Sequence, residues 1–262
     1  MATSPRRGAR PTASYALRVS SPQTRPVAVV TGGTRGIGLG IVRDLAPTHH
    51  VVVGGRSEEG VARLVAELPS AQGLVADLAD CAPGGSLEHA LADLVPTLPR
   101  VDVLVHSAGI LRHGTVAEAP VADWAESMTV NVVAVAAVTR ALLPALRAAQ
   151  GLVIAVNSGS GFTSGARSGA YSASKFALRA LTDALREEER AHGVRVTSLH
   201  PGRVDTDMQH ELVGHEGADY DATAYLDVES VVAAARLAID AGPRASVDLV
   251  SVRPRGWRPT SD

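Results

Sequence analysis

Tyr171 and Lys175 stand four positions apart in Gly169-Ala-Tyr171-Ser-Ala-Ser-Lys175. A helix sets such a pair one above the other on a single face. A phenol and an ammonium held that way form an acid–base unit, because the cation stabilises the phenolate. Lys175 is the only lysine among 25 Lys and Arg residues, so an arginine-built chain uses a compact point charge at this one place. A tyrosine of ordinary pKa, about 10, needs roughly 3 to 4 kcal/mol of phenolate stabilisation to work near pH 7 to 8. An ammonium about 4 Å away supplies on the order of 4 kcal/mol at an effective dielectric near 20, but only about 1 kcal/mol in open water. The pair is therefore sufficient only in an occluded site. Thirteen residues before Tyr171 stands Ser158, a hydroxyl that could donate to a substrate oxygen as charge develops there.

The second constellation is rich in glycine. Val27-Ala-Val-Val-Thr31 reads as a short buried strand that breaks into Gly32-Gly-Thr34-Arg35-Gly36-Ile37-Gly38. An amphipathic segment, Ile37 to Ala46, follows and is stopped by Pro47. Such a turn lets the main chain approach a pyrophosphate at the positive end of a helix. The spacing differs from the commoner G-x-G-x-x-G, and a tight turn without a ligand is the alternative. An acid at the tip of the second strand would hold the ribose 2′-hydroxyl of NAD. Here that strand ends Gly54-Gly55-Arg56. Arg56, flanked by Arg35, could receive a 2′-phosphate through charge-assisted bonds, which predicts NADP(H) in preference to NAD(H), with NAD(H) as second choice. Two solvated arginines are the alternative.

The elements that must position these groups alternate. Further strands are expected at His50–Gly55, Gly73–Asp77, Val101–His106, Gly151–Asn157, Val194–Leu199 and Ser246–Val252. Helices are expected from Ser57 to Leu68, from Ser86, from Ala122 to Ala149 with a kink at Pro144, from Tyr171 to His192 and from Asp227 to Asp240. This order predicts a single-domain α/β fold: a doubly wound parallel sheet of about seven strands with helices on both faces. Ligands of such sheets lie beyond the carboxyl ends of the strands, where every motif above falls.

Composition narrows the classes. With 262 residues, 45% of them hydrophobic, the chain can build one sizeable core, here taken as residues 26–262. Residues 1–25 carry five arginines and no acid and read as a disordered extension, with a transit-like leader as the alternative. A net charge of −2 gives no field for nucleic acid. Cys81 stands alone, which rules out an internal disulfide. The N-terminal residues lack the apolar core of a secretory signal, and Asn131, Thr139 and Arg140 interrupt the best membrane candidate. A cytoplasmic protein without a membrane partner is expected. His210 and His215 mimic a zinc motif but are five apart, roughly 140° around a helix against about 40° for the i, i+4 pair such sites need, so no metal is expected. No Gly-x-Ser-x-Gly elbow and no P-loop occurs.

Taken together, Thr31-Gly32-x-x-x-Gly36-x-Gly38, Asp77-Leu78, Ser107-Ala108-Gly109, Asn131, Ser158, Tyr171-x-x-x-Lys175 and Pro201-Gly202 resemble the short-chain dehydrogenase/reductase family over about residues 26 to 252. The resemblance implies reversible carbonyl reduction by hydride transfer, with Tyr171 as general acid and base. Lys175 would stabilise the phenolate. Ser158 would hold the substrate oxygen and is preferred to Ser160, which lies eleven rather than thirteen before Tyr171. Asn131 would loosen its helix and hold a water in a proton relay to Lys175; a satisfied polar residue is the alternative. The cofactor would touch Gly32, Thr34, Arg35, Gly36, Ile37 and Gly38 in the turn, then Arg56, Tyr171 and Lys175. Asp77 with Leu78 would sit by the adenine, and Ser107, Ala108 and Gly109 would pass under the ribose. Pro201 and Gly202 would also touch the cofactor, and Val204 and Thr206 would meet the carboxamide. The chain departs from the family at His106-Ser107, where paired asparagines are usual. The polar segment Asp205 to Leu226 would lid the pocket, suggesting a small to medium carbonyl or secondary alcohol, unless it is a plain surface loop. The apolar stretch around Val132, Val135, Thr139, Leu142 and Leu146 would build a homodimer or homotetramer, unless it is an ordinary core helix. A catalytically silent cofactor sensor on the same fold is the alternative function; the presence of Ser158, Tyr171 and Lys175 together argues against it.

Overall fold

The computed structural model describes residues 25–255. The extension expected over residues 1–25 therefore lies, apart from Arg25, outside the described residues. Seven parallel strands form one sheet in the order β3-β2-β1-β4-β5-β6-β7. They are β1 Val27–Thr31, β2 His50–Gly55, β3 Ala71–Val75, β4 Val103–His106, β5 Leu152–Val156, β6 Arg195–Pro201 and β7 Leu249–Val252. The order turns back at β1, whose Val29 pairs with Val52 on one side and Leu104 on the other. That reversal opens a crevice at the carboxyl ends of β1 and β4.

Side chains alternate between the two faces, as the period of two demands. Ala28, Val30, Val51, Val53 and Ile154 enter one apolar layer, with helices α1 Gly36–Leu45 and α8 Val228–Ile239. Val29, Val52, Leu104 and Val153 enter the other, with α3 Ser86–Leu94 and the helix α5 Ala134–Ala149. Because both faces are covered, the strands need continuous rather than alternating apolar residues. Helix α2 Glu58–Glu67 starts at Ser57, whose hydroxyl accepts from Gly60 N. Arg236 on α8 clasps Asp44 on α1 at 2.7 Å.

The helix expected over 122–149 is in fact three pieces. Val121–Met128 (α4) runs into a five-residue π turn, Thr129–Val133, before α5 begins. Pro144 sits within α5, and the break falls at Asn131's turn. The 121–149 run is nevertheless long and apolar enough to cross a bilayer, with a mean hydropathy of 1.7. Half of that window is buried inside the protein, where Val130, Ala134, Val138, Leu142 and Leu146 pack. The segment read as a polar lid forms a helix, α7 Asp207–Glu216, closed by Gly217 at φ +67°. Helix α6, Gly169–Glu189, carries the Tyr–Lys pair.

Candidate active site

Three carboxyl-end loops converge. Where β5 ends, Ser158 N donates to Asn157 Oδ1 at 3.0 Å, and Ser158 Oγ caps a short turn by accepting from Ser160 N at 3.1 Å. Ser158 O accepts from His200 Nδ1 at 2.7 Å. The carbonyl can only accept, so Nδ1 carries the proton and Nε2 takes the Ser198 hydroxyl at 2.8 Å. Burial lowers the pKa of His200 and favours this neutral form. His200 thus fixes the backbone that carries Ser158. Sequence reasoning passed it over, although it directly precedes Pro201-Gly202.

Helix α6 starts two residues before Tyr171, so Tyr171 sits in its first turn and Lys175 one turn further in. Lys175 is 4% exposed; its Nζ donates to Val156 O at 3.1 Å and lies 5.6 Å from the centre of the Tyr171 ring. Burial brings the Lys175 ammonium down to about 8. Tyr171 is pushed up from its ordinary value by burial, opposed by its hydrogen bond with Ser158. The sequence reading expects the phenol to become more acidic. Instead desolvation outweighs the hydrogen bond, and the protein alone leaves Tyr171 a weaker acid than a free phenol.

Asn131 is 1% exposed on the π turn. Its Oδ1 accepts from Ile110 N and its Nδ2 donates to Ile110 O, both at 3.0 Å, while Nδ2 also donates to Ser174 Oγ at 2.9 Å. Ser174 Oγ in turn donates to Tyr171 O at 2.7 Å. Asn131 therefore ties the loop after β4 to the helix bearing the Tyr–Lys pair. A Cβ on Gly109 would stand 3.2 Å from Asn131 Oδ1 and 3.7 Å from Lys175 Nζ, so this glycine leaves room beside the ammonium.

The glycine turn has the shape a dinucleotide requires. Gly32 has φ +64°, and a Cβ there would come within 2.7 Å of the Ala108 main chain. A Cβ on Gly38 would lie 2.1 Å from Gly32 O. The first turn of α1 has neither a side-chain cap nor an acid, leaving its amides to an external anion. Ala108 N donates to Thr31 Oγ1 at 3.4 Å, which lashes the β4 loop to the turn. Thr34 packs under Gly55, and Thr206 stands over Gly36. Arg56 follows β2, is exposed and makes no ion pair among the described residues. Arg35 pairs loosely with Asp207 at 3.6 Å. Asp77 is exposed just past β3, its Oδ1 accepting from Ala79 N, while Leu78 packs on the core. The glycine turn and the uncapped amides of α1 fit a pyrophosphate, and Arg56 stands exposed just past β2.

A cavity of about 390 Å³ opens over this edge. Ser158, Tyr171 and Lys175 line it together with Ile37, Ser107, Gly109, Pro201, Gly202, Val204 and Thr206. Gly32, Thr34, Arg35, Gly36, Gly38, Arg56, Asp77, Leu78, Ala108 and Asn131 stand outside its lining. His106, the departure from the family, is 2% exposed and pairs through Nε2 with Thr139 Oγ1 at 2.8 Å. A second cavity, about 410 Å³ around Cys81, Leu91 and Ala137, lies apart from these groups.

Comparison with known proteins agrees with this geometry. The short chain dehydrogenase family pattern matches residues 26–217. An uncharacterised oxidoreductase of Staphylococcus saprophyticus is 32% identical over 232 residues, covering 87% of this chain and 97% of its own. Among solved structures, the actinorhodin polyketide ketoreductase with NADPH superposes with a TM-score of 0.80 at 27% identity, covering 90% of this chain and 98% of its own. An alcohol dehydrogenase of the archaeon Thermococcus sibiricus, complexed with 5-hydroxy-NADP, gives 0.78 at 26% identity, covering 90% and 100%. On the family match over most of the chain and on the shared fold, the chain belongs to the short-chain dehydrogenase/reductase family of NAD(P)-dependent oxidoreductases.

Proposed function

We propose that the protein is an NADP(H)-dependent enzyme that interconverts small to medium carbonyl compounds and secondary alcohols, with Tyr171 as general acid and base. The observation that carries the reading is that Ser158, Tyr171 and Lys175 line one cavity with Ile37 and Thr206 from beside the glycine turn. The preference for NADP(H) rests on Arg56 after β2, exposed and without an ion partner among the described residues, and on the NADP-type cofactors held by the two solved relatives. Gly32, Gly36, Gly38 and the amides of α1 would hold the pyrophosphate.

The nicotinamide, when bound, supplies or accepts the hydride. In reduction, the Ser158 hydroxyl donates a hydrogen bond to the substrate oxygen, and Tyr171 gives that oxygen its proton as negative charge develops. A phenol pushed upward by burial stays protonated at neutral pH, which suits this direction. The phenolate left behind faces the Lys175 ammonium, which is charged below about pH 8. Asn131 Oδ1 keeps a second lone pair for a water that relays protons to Lys175. A homodimer or homotetramer belongs to the same proposal, but Val135, Thr139, Leu142 and Leu146 are buried in the chain's own core, so its support passes to the outward-facing Val133 and Phe176 beside α5 and on α6.

The test follows NADPH oxidation across a panel of ketones and aldehydes. Tyr171→Phe is expected to lose about 10²- to 10⁴-fold in kcat while still binding NADPH. Near-normal turnover by that variant would sink the mechanism.

A further inference from the structure

Two polar side chains on the lid side of the cavity have no part in the scheme above. Gln209, Leu212 and Glu216 recur on one face of α7 and line the cavity, with buried Val213 between them. Gln209 is 6% exposed, and its Nε2 is enclosed with no hydrogen-bond partner among the described residues. His113 also lines the cavity, and its Nδ1 is enclosed and unpartnered as well. The main chain beside it is tied where Gly114 N donates to Arg167 O at 2.7 Å, and the His215 ring lies nearly parallel with its centre 6.1 Å away. An enclosed amide donor without an acceptor is destabilising, and folded proteins seldom keep one.

We infer that Gln209 and His113 form a specificity subsite for an uncharged hydrogen-bonding group, a hydroxyl or second carbonyl, carried by the substrate away from its reacting carbon. The inference rests on the carbonyl-reductase reading and names its substrate class: hydroxylated or doubly oxygenated carbonyl compounds. A turn of each side chain brings its enclosed nitrogen to the cavity wall, where the amide of Gln209 donates to the distal oxygen and the imidazole of His113 forms a second hydrogen bond to the same group. The ion pair at this end is closed on itself, which suits a neutral group. Arg203 and Glu216 both line the cavity and are already paired with each other, so an incoming carboxylate meets Glu216 without a free partner in Arg203. Burial and the neighbouring Arg167 also hold His113 below its ordinary pKa, toward the neutral ring. A site built to bond a substrate hydroxyl rejects the analogue lacking it, because its own polar groups are then left unpaired.

The experiment compares methyl ketones of six to eight carbons with their terminally hydroxylated counterparts. Turnover is followed with NADPH, and binding by calorimetry in the presence of NADP⁺. At the best chain length the wild type is expected to prefer the hydroxyketone about tenfold in both kcat/KM and Kd. Gln209→Met and His113→Phe are each expected to bring that preference to about twofold or less. Gln209→Met should melt no lower than wild type without ligand, since it removes an unpaired donor. Equal handling of the two ketones by wild type, a preference that survives both substitutions, or a lowered Tm for Gln209→Met overturns the subsite. Should wild type turn over neither ketone yet bind the hydroxyketone in a Gln209-dependent way, the subsite stands and the assigned reaction falls. Neither binding nor turnover overturns both.

Discussion

Asn131 and Ile110 hold each other by a matched pair of hydrogen bonds, side-chain amide against main-chain peptide, each 3.0 Å long. Neither the N–H nor the C=O of Ile110 keeps these bonds if the side chain is cut back. Asn131→Ala is therefore expected to cost about 2 kcal/mol of stability, because it strands buried polar groups. It should also lower kcat by loosening the link through Ser174 to Tyr171. Thermal melting and steady-state kinetics on the same preparation check both.

The buried amine sets a pH limit. Lys175 is held down to about 8 and Tyr171 is pushed up by desolvation, so across pH 6 to 9 the lysine, not the tyrosine, changes charge. Carbonyl reduction is expected to be level below about pH 8 and to fall above it as the ammonium is lost. A kcat profile for ketone reduction, compared with Lys175→Met, reads this directly: the variant should be slow throughout and lack the break. A wild-type break near pH 6 instead would assign the titration to a histidine.

The two arginines of the cofactor edge are not equal. Arg56 has no ion partner among the described residues, whereas Arg35 lies 3.6 Å from the carboxylate of Asp207. Arg56→Ala should lower the NADPH-to-NADH ratio of kcat/KM about 10- to 100-fold, the worth of a charge-assisted bond. Arg35→Ala should lower it less. An unchanged ratio in Arg56→Ala removes that residue from cofactor choice.

His106 predicts acid sensitivity. Burial holds its imidazole down to about 4 in the folded chain, against about 6.5 when unfolded. Between those values the unfolded chain binds the extra proton, so stability is full above pH 6.5 and falls as pH drops toward 4. The contribution is on the order of 3 kcal/mol. Denaturant titrations of wild type and His106→Asn at pH 7.5 and 4.5 should show a smaller acid loss in the variant, although other partly buried histidines add to the loss in both.

Where a local rule dictates the residue, the sequence was legible. Gly32 and Gly38 are required by contacts of 2.7 and 2.1 Å that no other side chain survives, and the Tyr171–Lys175 spacing follows from one helical turn. The π turn was legible only through the resemblance, which has Asn131 loosening its helix; periodicity by itself carries no mark of one extra residue in Thr129–Val133. Helix α7 was missed for a different reason. Its inward face meets a polar cavity rather than the core, so Gln209 and Glu216 stand where an apolar stripe would announce a helix. Strand β3 begins two residues before the reading placed it, since an edge strand with one buried residue, Leu74, leaves its register weakly written. The rise in the Tyr171 pKa depends on how deeply its hydroxyl is enclosed and how far the ammonium stands from it, and no spacing in the chain reports either.

The segment that carries α7 leaves and rejoins the body of the protein at one spot. Val204 bridges Leu226, Asp205 N donates to Leu226 O at 2.8 Å, and Leu226 N donates to Arg203 O at 2.9 Å. A loop cinched at its neck can be rewritten between those knots without pulling on β5 or α6. Divergence among close homologues should therefore gather inside the noose, altering which molecule is chosen while the reaction performed on it stays the same.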